Sequence, residues 1–315
     1  MNIQLRGITK RYPGHTAVET LDLDIAEGET LALIGGSGSG KTTTLRMINR
    51  LIEPDSGSIR IGGQDIRTLD PPALRRRTGY VIQQTGLFPH LTVQDNMAVV
   101  PRLLGWPPAQ IQRRIHLLCE ALRIDPAWLR RYPAQLSGGQ QQRAGLARAL
   151  AADPPVVLMD EPFGALDPLT REDIREEFRQ SEVLRGKTIV LVTHDIQEAF
   201  TMGRRIALMD QGRLLQCGAP QELLFQPASP AVARFFEGQA FGLYLSRLTL
   251  GDLLPWLPAL PPGPDALPAA PHTSLQQALS LLTRSGGQLR ITAASPRTAD
   301  FQTLLHAAGQ YRLTR

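Results

Sequence analysis

A chain of 315 residues, 42% hydrophobic and 20% charged, has room for one large domain and a smaller one, and its balance excludes a disordered polymer. The net charge of +5 rests on arginine, since lysine occurs only at Lys10, Lys41 and Lys187; with the arginines dispersed among acids, no nucleic-acid partner is expected. Cys119 and Cys217 stand alone without CxxC spacing, which argues against a disulfide framework or a zinc site, and no window reaches the ~20 apolar residues of a membrane span. The opening MNIQLRGITKRYPG alternates like a strand and lacks a signal peptide's apolar core. ETLALIGG (Glu29 to Gly36) reads as a buried strand, KTTTLRMINRLI as the helix after it, and GSIRIGG and TGYVIQQ as further strands. From about Leu91 to Ala152 the pattern is helical, with helices near Pro108 to Leu122 and Gln140 to Ala152. Then come PPVVLMDEP, a helix from about Leu169 to Leu184, KTIVLVTHD, a short helix, RIALMDQ and GRLLQCG.

Buried apolar runs separated by helices predict an α/β core with a mostly parallel sheet, an N-terminal antiparallel part, and an inserted helical subdomain over about 88–152. The first domain is placed at residues 1–237. A proline-rich linker follows at 238–271, centred on PWLPALPPGPDALPAAP, and a small α/β module at 272–315.

Three clusters carry chemistry. GGSGSGKT (Gly35 to Thr42) satisfies G-x-x-x-x-G-K-T between a strand and a helix. Backbone amides from Gly35, Gly36, Ser37, Gly38, Ser39, Gly40 and Thr43 suit a phosphate chain. Lys41 neutralises its oxygens, and Thr42 offers a hydroxyl to Mg²⁺. VVLMDEP ends an apolar strand in two carboxylates. Asp160 is assigned to the metal and Glu161 to the attacking water, with Gln83 and His194, also at strand ends, as further contacts to the metal, water or γ-phosphate. Tyr12 offers a ring that stacks on a base or, as is commoner for a lone tyrosine near an N-terminus, packs. LSGGQQQR supplies a second anion site: Ser137 caps a helix that opens on Gly138, Gly139 and Gln140.

This ordered set resembles the ATP-binding subunit of ABC transporters: Walker A at Gly35–Thr42, the Q-loop at Gln83, the LSGGQ signature, Walker B ending in Asp160 and Glu161, the D-loop ALD (Ala165 to Asp167), and the H-loop at His194. The resemblance implies a P-loop ATPase using ATP and Mg²⁺. Two copies pair head to tail, so that Ser137, Gly138, Gly139 and Gln140 of one chain serve the ATP held by the Walker A loop of the other. Tyr12 then stacks on adenine and Asp167 contacts the partner copy. A GTPase reading fails for want of N-K-x-D, and the interval from Lys41 to Leu136 is too short for the long coiled coils of chromosome ATPases.

The blocks TLRMINRLIEPDSG, LRRRTGYVIQQTGLFPHLTV and NMAVVPRLLGW are similar to those of osmoprotectant importer ATPases, which serve glycine betaine, choline, carnitine or proline betaine. This narrower resemblance implies a permease docked near Gln83, an extracytoplasmic solute-binding protein acting indirectly, and a place on the cytoplasmic face of the membrane. The last module resembles a single, degenerate CBS repeat and reads as a packing or dimer-contact appendage.

Overall fold

The computed structural model describes residues 1–83, 86–164, 166–238, 242–243, 245, 248–259, 263, 266–285, 287–292 and 297–313. It divides into two compact units, Met1–Pro220 and Gln221–Arg315.

The first unit opens with an antiparallel sheet in the order β2-β1-β4-β5, from β1 (Ile3–Tyr12), β2 (His15–Ile25), β4 (Ser56–Ile61) and β5 (Gln64–Asp65). The second sheet has six strands in the order β10-β9-β3-β8-β7-β6. These are β3 (Thr30–Ile34), β6 (Thr78–Val81), β7 (Val156–Asp160), β8 (Thr188–Val192), β9 (Arg205–Asp210) and β10 (Arg213–Gly218). All pairs are parallel except β9 with β10. Helix α1 (Lys41–Ile48) follows β3, and α2 (Pro71–Arg76) precedes β6. Helices α3 (Val93–Leu103), α4 (Pro108–Ala121) and α5 (Gly138–Leu150) fall between β6 and β7. Helices α6 (Pro168–Gln180) and α7 (Ile196–Met202) flank β8.

The central strands read as unbroken apolar runs because both their faces are covered. In β7, Val156 and Leu158 enter the core shared with β1, β2, β4 and α1, while Val157 and Met159 enter the core shared with α3, α4 and α5. In β8, Val190 and Val192 face the first core and Ile189 and Leu191 the second. Each such side chain, at most 3% exposed, contributes roughly 1.5–3 kcal/mol by burial. The parallel order β3-β8-β7-β6 has a direct consequence: the C-terminal ends of four neighbouring strands lie along one sheet edge, where α/β proteins bind ligands.

The second unit corrects the expected linker. Within 238–271 the chain forms a helix, Leu250–Leu253, a 3₁₀ turn, Leu254–Trp256, and strand β11 (Leu267–Ala269). Leu250, Leu253, Leu257 and Ala269 are core residues alongside Leu275, Leu289, Ile291 and Leu304. The prolines permit this. Pro255 stands at the start of a short turn, where its missing N–H costs nothing, and Pro268 lies on the edge strand of the order β11-β12-β13. Strand β12 (Leu289–Ile291) pairs parallel with β11 and antiparallel with β13 (Arg297–Ala299), between helices Leu275–Ser285 and Phe301–Leu313. Residues 293–296 of the tail lie outside the described residues.

Candidate functional site

Each strand end along that edge delivers one part. After β3 the chain enters the loop Gly35–Gly40, which closes on α1 with Gly40 as a left-handed N-cap (φ 98°). Here glycine is required by space as well as by torsion: a Cβ on Gly35 falls 2.0 Å from the carbonyl oxygen of Met209, and one on Gly40 falls 2.3 Å from that of Ala17. Lys41 is 8% exposed, and its ammonium donates to Gly35 O at 2.9 Å, Gly36 O at 2.7 Å and Ser39 Oγ at 3.2 Å. The lysine is thereby fixed at the centre of the loop. Ser39 is buried; Gly36, Ser37 and Gly38 are exposed, and Thr42 and Thr43 are half-buried on the first turn of α1.

Thr42 donates its hydroxyl to Asp160 Oδ1 at 2.9 Å, which places a hydroxyl and a carboxylate oxygen side by side. Those oxygen donors fit a hard divalent cation such as Mg²⁺, and the neighbouring glycine cradle fits a phosphate chain. Burial raises the Asp160 carboxyl above its ordinary range and Glu161 adds to the rise; the Thr42 hydrogen bond, Arg46 and Lys41 oppose it. Burial likewise lowers the Lys41 ammonium, against the pull of Glu161 and Asp160.

Glu161 adopts a left-handed backbone (φ 47°), a conformation that costs a non-glycine residue of order 1–3 kcal/mol. Its N–H donates to Val192 O at 2.8 Å, which holds the bend against β8. The carboxylate then receives Gln83 Nε2 at 2.8 Å on Oε2 and meets His194 Nδ1 at 3.1 Å on Oε1. The order of the strands thus puts Gln83, Glu161, His194 and the phosphate loop in one row.

The signature residues stand apart from this row in their bonding. Ser137 caps α5 and forms a reciprocal box with Gln140: Gln140 N donates to Ser137 Oγ at 3.3 Å, and Ser137 N to Gln140 Oε1 at 3.0 Å. Ser137 and Gly138 are exposed. A Cβ on Gly139 would meet Thr170 Cγ2 at 2.9 Å, so this glycine has a packing reason within its own chain; one on Gly138 meets nothing within 4 Å. Farther along α5, buried Gln142 donates to Pro162 O, joining the helix to the segment after Glu161. Asp167 caps α6 through Thr170 N at 3.1 Å. Ala165 of the ALD stretch lies outside the described residues, as do Gln84 and Thr85 of the block around Gln83. Tyr12 is 39% exposed, and its ring stacks on His15 with centroids 5.6 Å apart, under Lys10 Nζ at 5.6 Å.

Two residues next to the row escape a reading of the sequence. Glu198 looks like the third residue of a helix cap after Asp195, yet its side chain is buried against Thr193. Arg171 looks like a solvated helix charge, yet it reaches Asp195 and the carbonyls of Gly164 and Leu166. Asp-x-x-Glu after a strand, with buried Ile196, Ala199 and Phe200 around the glutamate, was the available signal.

The family model described as ABC transporter matches residues 18–164. The osmoprotectant import ATP-binding protein OsmV of Salmonella typhimurium is 45% identical over 286 residues, covering 89% of this chain and 73% of that protein. The chain belongs to the ABC transporter family. The glycine betaine/carnitine/choline transport ATP-binding protein OpuCA of Bacillus subtilis is 52% identical over 234 residues, or 74% of this chain, and the match spans 62% of that protein's own length. A solved dimeric structure of the ATP-binding cassette MJ0796, in a post-hydrolysis state with ADP and Pi, superposes with a TM-score of 0.62 at 34% identity. That match covers 69% of this chain and 98% of the cassette. The fold is therefore the α/β P-loop ATPase fold of ABC cassettes. Among the described residues, no helix is long and apolar enough to cross a membrane.

Proposed function

We propose that this ABC protein is the ATP-hydrolysing subunit that powers import of a small quaternary-ammonium osmoprotectant through a separate membrane permease. The observation that carries the hydrolytic part of the reading is Glu161: a carboxylate on a left-handed backbone at the sheet edge, in contact with Gln83 and His194 and adjacent in sequence to the Asp160–Thr42 pair. In this role Glu161 accepts a proton from the attacking water, as hydrolysis of a phosphoanhydride requires. His194 and Gln83 orient that carboxylate and the γ-phosphate beyond it. Lys41 and the amides of Gly36 to Thr43 bind the phosphate chain, and Tyr12 stacks on the adenine. Thr42, Asp160 and Gln83 would hold Mg²⁺, which would supply charge neutralisation on the phosphate chain.

The chain works as a head-to-tail pair of identical copies. The cap Ser137-Gly138-Gly139-Gln140 of each copy, exposed at Ser137 and Gly138, closes the ATP site of the other, and Asp167 meets the partner copy. The permease docks beside Gln83 on the cytoplasmic face of the membrane, and the solute-binding protein acts on the permease from outside. The relatives named for glycine betaine, carnitine, choline and osmoprotectant transport support the solute class.

Glu161→Gln tests the reading, since the amide keeps the shape of the side chain without its basicity. Phosphate release is expected to fall ~10²–10⁴-fold with nucleotide binding retained. Wild-type turnover in this variant would reject the assignment. Uptake of radiolabelled glycine betaine by cells with and without the chain tests the solute: uptake that is independent of the chain removes it from the proposal.

A further inference from the structure

Thr193, Asp195 and Glu198, next to His194 in the chain, are joined in a ring of hydrogen bonds in which Thr193 and Glu198 are buried. Glu198, in the first turn of α7, is 2% exposed. Its Oε2 accepts from Thr193 Oγ1 at 2.9 Å, while its Oε1 is buried with no hydrogen-bond partner among the described residues. Thr193 Oγ1 also accepts from Asp195 N at 3.0 Å, and Asp195 Oδ1 accepts from Glu198 N at 3.1 Å. Thr193 N donates to Leu33 O at 3.2 Å, on the strand that feeds the phosphate loop. His194 lies between two of these residues, its backbone neighbours Thr193 and Asp195 bonded on both sides while its own side chain meets Glu161. Arg171 joins from α6: its Nη1 lies 3.5 Å from Asp195 Oδ2, and its Nη2 donates to Leu166 O at 3.0 Å and to Gly164 O at 3.4 Å, just after Glu161.

We propose that Glu198 is a positioning residue for ATP hydrolysis: it clamps Thr193, and so the backbone that aims His194 at Glu161, while Arg171 ties that same segment to the loop following Glu161. This rests on the hydrolytic reading of the site given above. The clamp belongs to the neutral carboxyl. A buried carboxyl with one unpaired oxygen is least costly when it carries a proton there. Burial holds Glu198 protonated up to about 8; Asp195 works in the same direction, and the Thr193 hydrogen bond, Arg175 and Arg171 oppose it. Charging the group at alkaline pH places an anion in a pocket that offers it one hydroxyl, and the segment carrying His194 shifts.

The test measures ATP hydrolysis by the full chain from pH 6.5 to 9 in the wild type, Glu161→Gln, Thr193→Val, Glu198→Ala and Glu198→Gln, with thermal unfolding run in parallel. Thr193→Val and Glu198→Ala each remove one side of the bond. Each is expected to lower kcat about tenfold while leaving KM for ATP within about twofold, the mark of lost orientation rather than lost binding. Glu198→Gln keeps an oxygen acceptor and carries no charge. It restores most of the kcat lost in Glu198→Ala and abolishes the wild-type decline above about pH 8. A folded Thr193→Val chain with wild-type kcat, or a Glu198→Gln chain that keeps the wild-type alkaline decline, overturns the proposal even where Glu161→Gln is inactive. If Glu161→Gln hydrolyses ATP at the wild-type rate, the reading of the whole site fails, and this proposal fails with it.

Discussion

Lys41 is one of only three lysines in the chain, and its ammonium is held by three oxygens of its own loop. Lys41→Ala removes the point charge with no other lysine near in sequence to replace it. ATP hydrolysis is expected to fall ~10²-fold or more, read as phosphate release, and unchanged affinity with unchanged turnover would contradict the role. Glu198 yields a second prediction, on stability. Its carboxyl is raised from 4.5 to about 8 in the folded chain, so the folded state binds the extra proton between those values. Stability from this group is therefore intact below about pH 4.5 and is lost as pH rises toward 8. Urea unfolding at pH 5 and pH 8 should show wild type losing more stability than Glu198→Gln, and equal losses would contradict the assignment. The contrast between the two residues shows what a sequence displays. Lys41, Asp160, Glu161 and His194 follow short apolar strands, a position that announces itself. Glu198 and Arg171 sit on helices, where a capping pattern and an ordinary surface charge are the simpler readings, and only the packing of α7 and α6 distinguishes them.

The elements followed from the sequence where a strand is covered on both faces or a cap is chemically explicit. VVLMD and TIVLV became β7 and β8, and Ser137 became the cap of α5; the cap that Asp167 places on α6 came from the structure alone. The stretch 238–271 was less legible, because proline density resembles a linker while the leucines between the prolines supply a core. That core is completed by Leu275, Leu289 and Leu304, which the stretch itself does not contain. Gly139 shows the same limit in miniature. Its neighbour Thr170 belongs to another helix, so a packing reason for the glycine is invisible until α5 and α6 meet. Asp167→Ala separates two jobs at one cap. Loss of the bond to Thr170 N should cost about 1 kcal/mol of stability, measured by thermal unfolding. If Asp167 also meets the partner copy, hydrolysis at a temperature where the variant is fully folded falls further; wild-type hydrolysis there would leave it a cap alone.

At the scale of the molecule, one chain presents two features that the proposal assigns to phosphate: a loop bonded around Lys41 and an exposed capped helix start at Ser137. The central claim is that they serve two different ATP molecules, each shared between two copies. Gly138 is the suitable position for the test, since a Cβ there meets nothing within 4 Å among the described residues, whereas one at Gly139 meets Thr170. Gly138→Asp sets a negative charge against the γ-phosphate of the partner's nucleotide, and Lys41→Ala disables the loop that binds it. In a heterodimer of the two variants both lesions fall on one composite site, and the other site is intact. The decisive measurement is phosphate release by the two variants alone and mixed in equal amounts, with differently tagged chains used to count heterodimers. The account predicts nearly inactive single variants and recovery in the mixture of roughly a quarter of the wild-type rate, since random pairing makes half the dimers mixed with one working site each. Heterodimers that form yet hydrolyse no faster than either variant alone would contradict it.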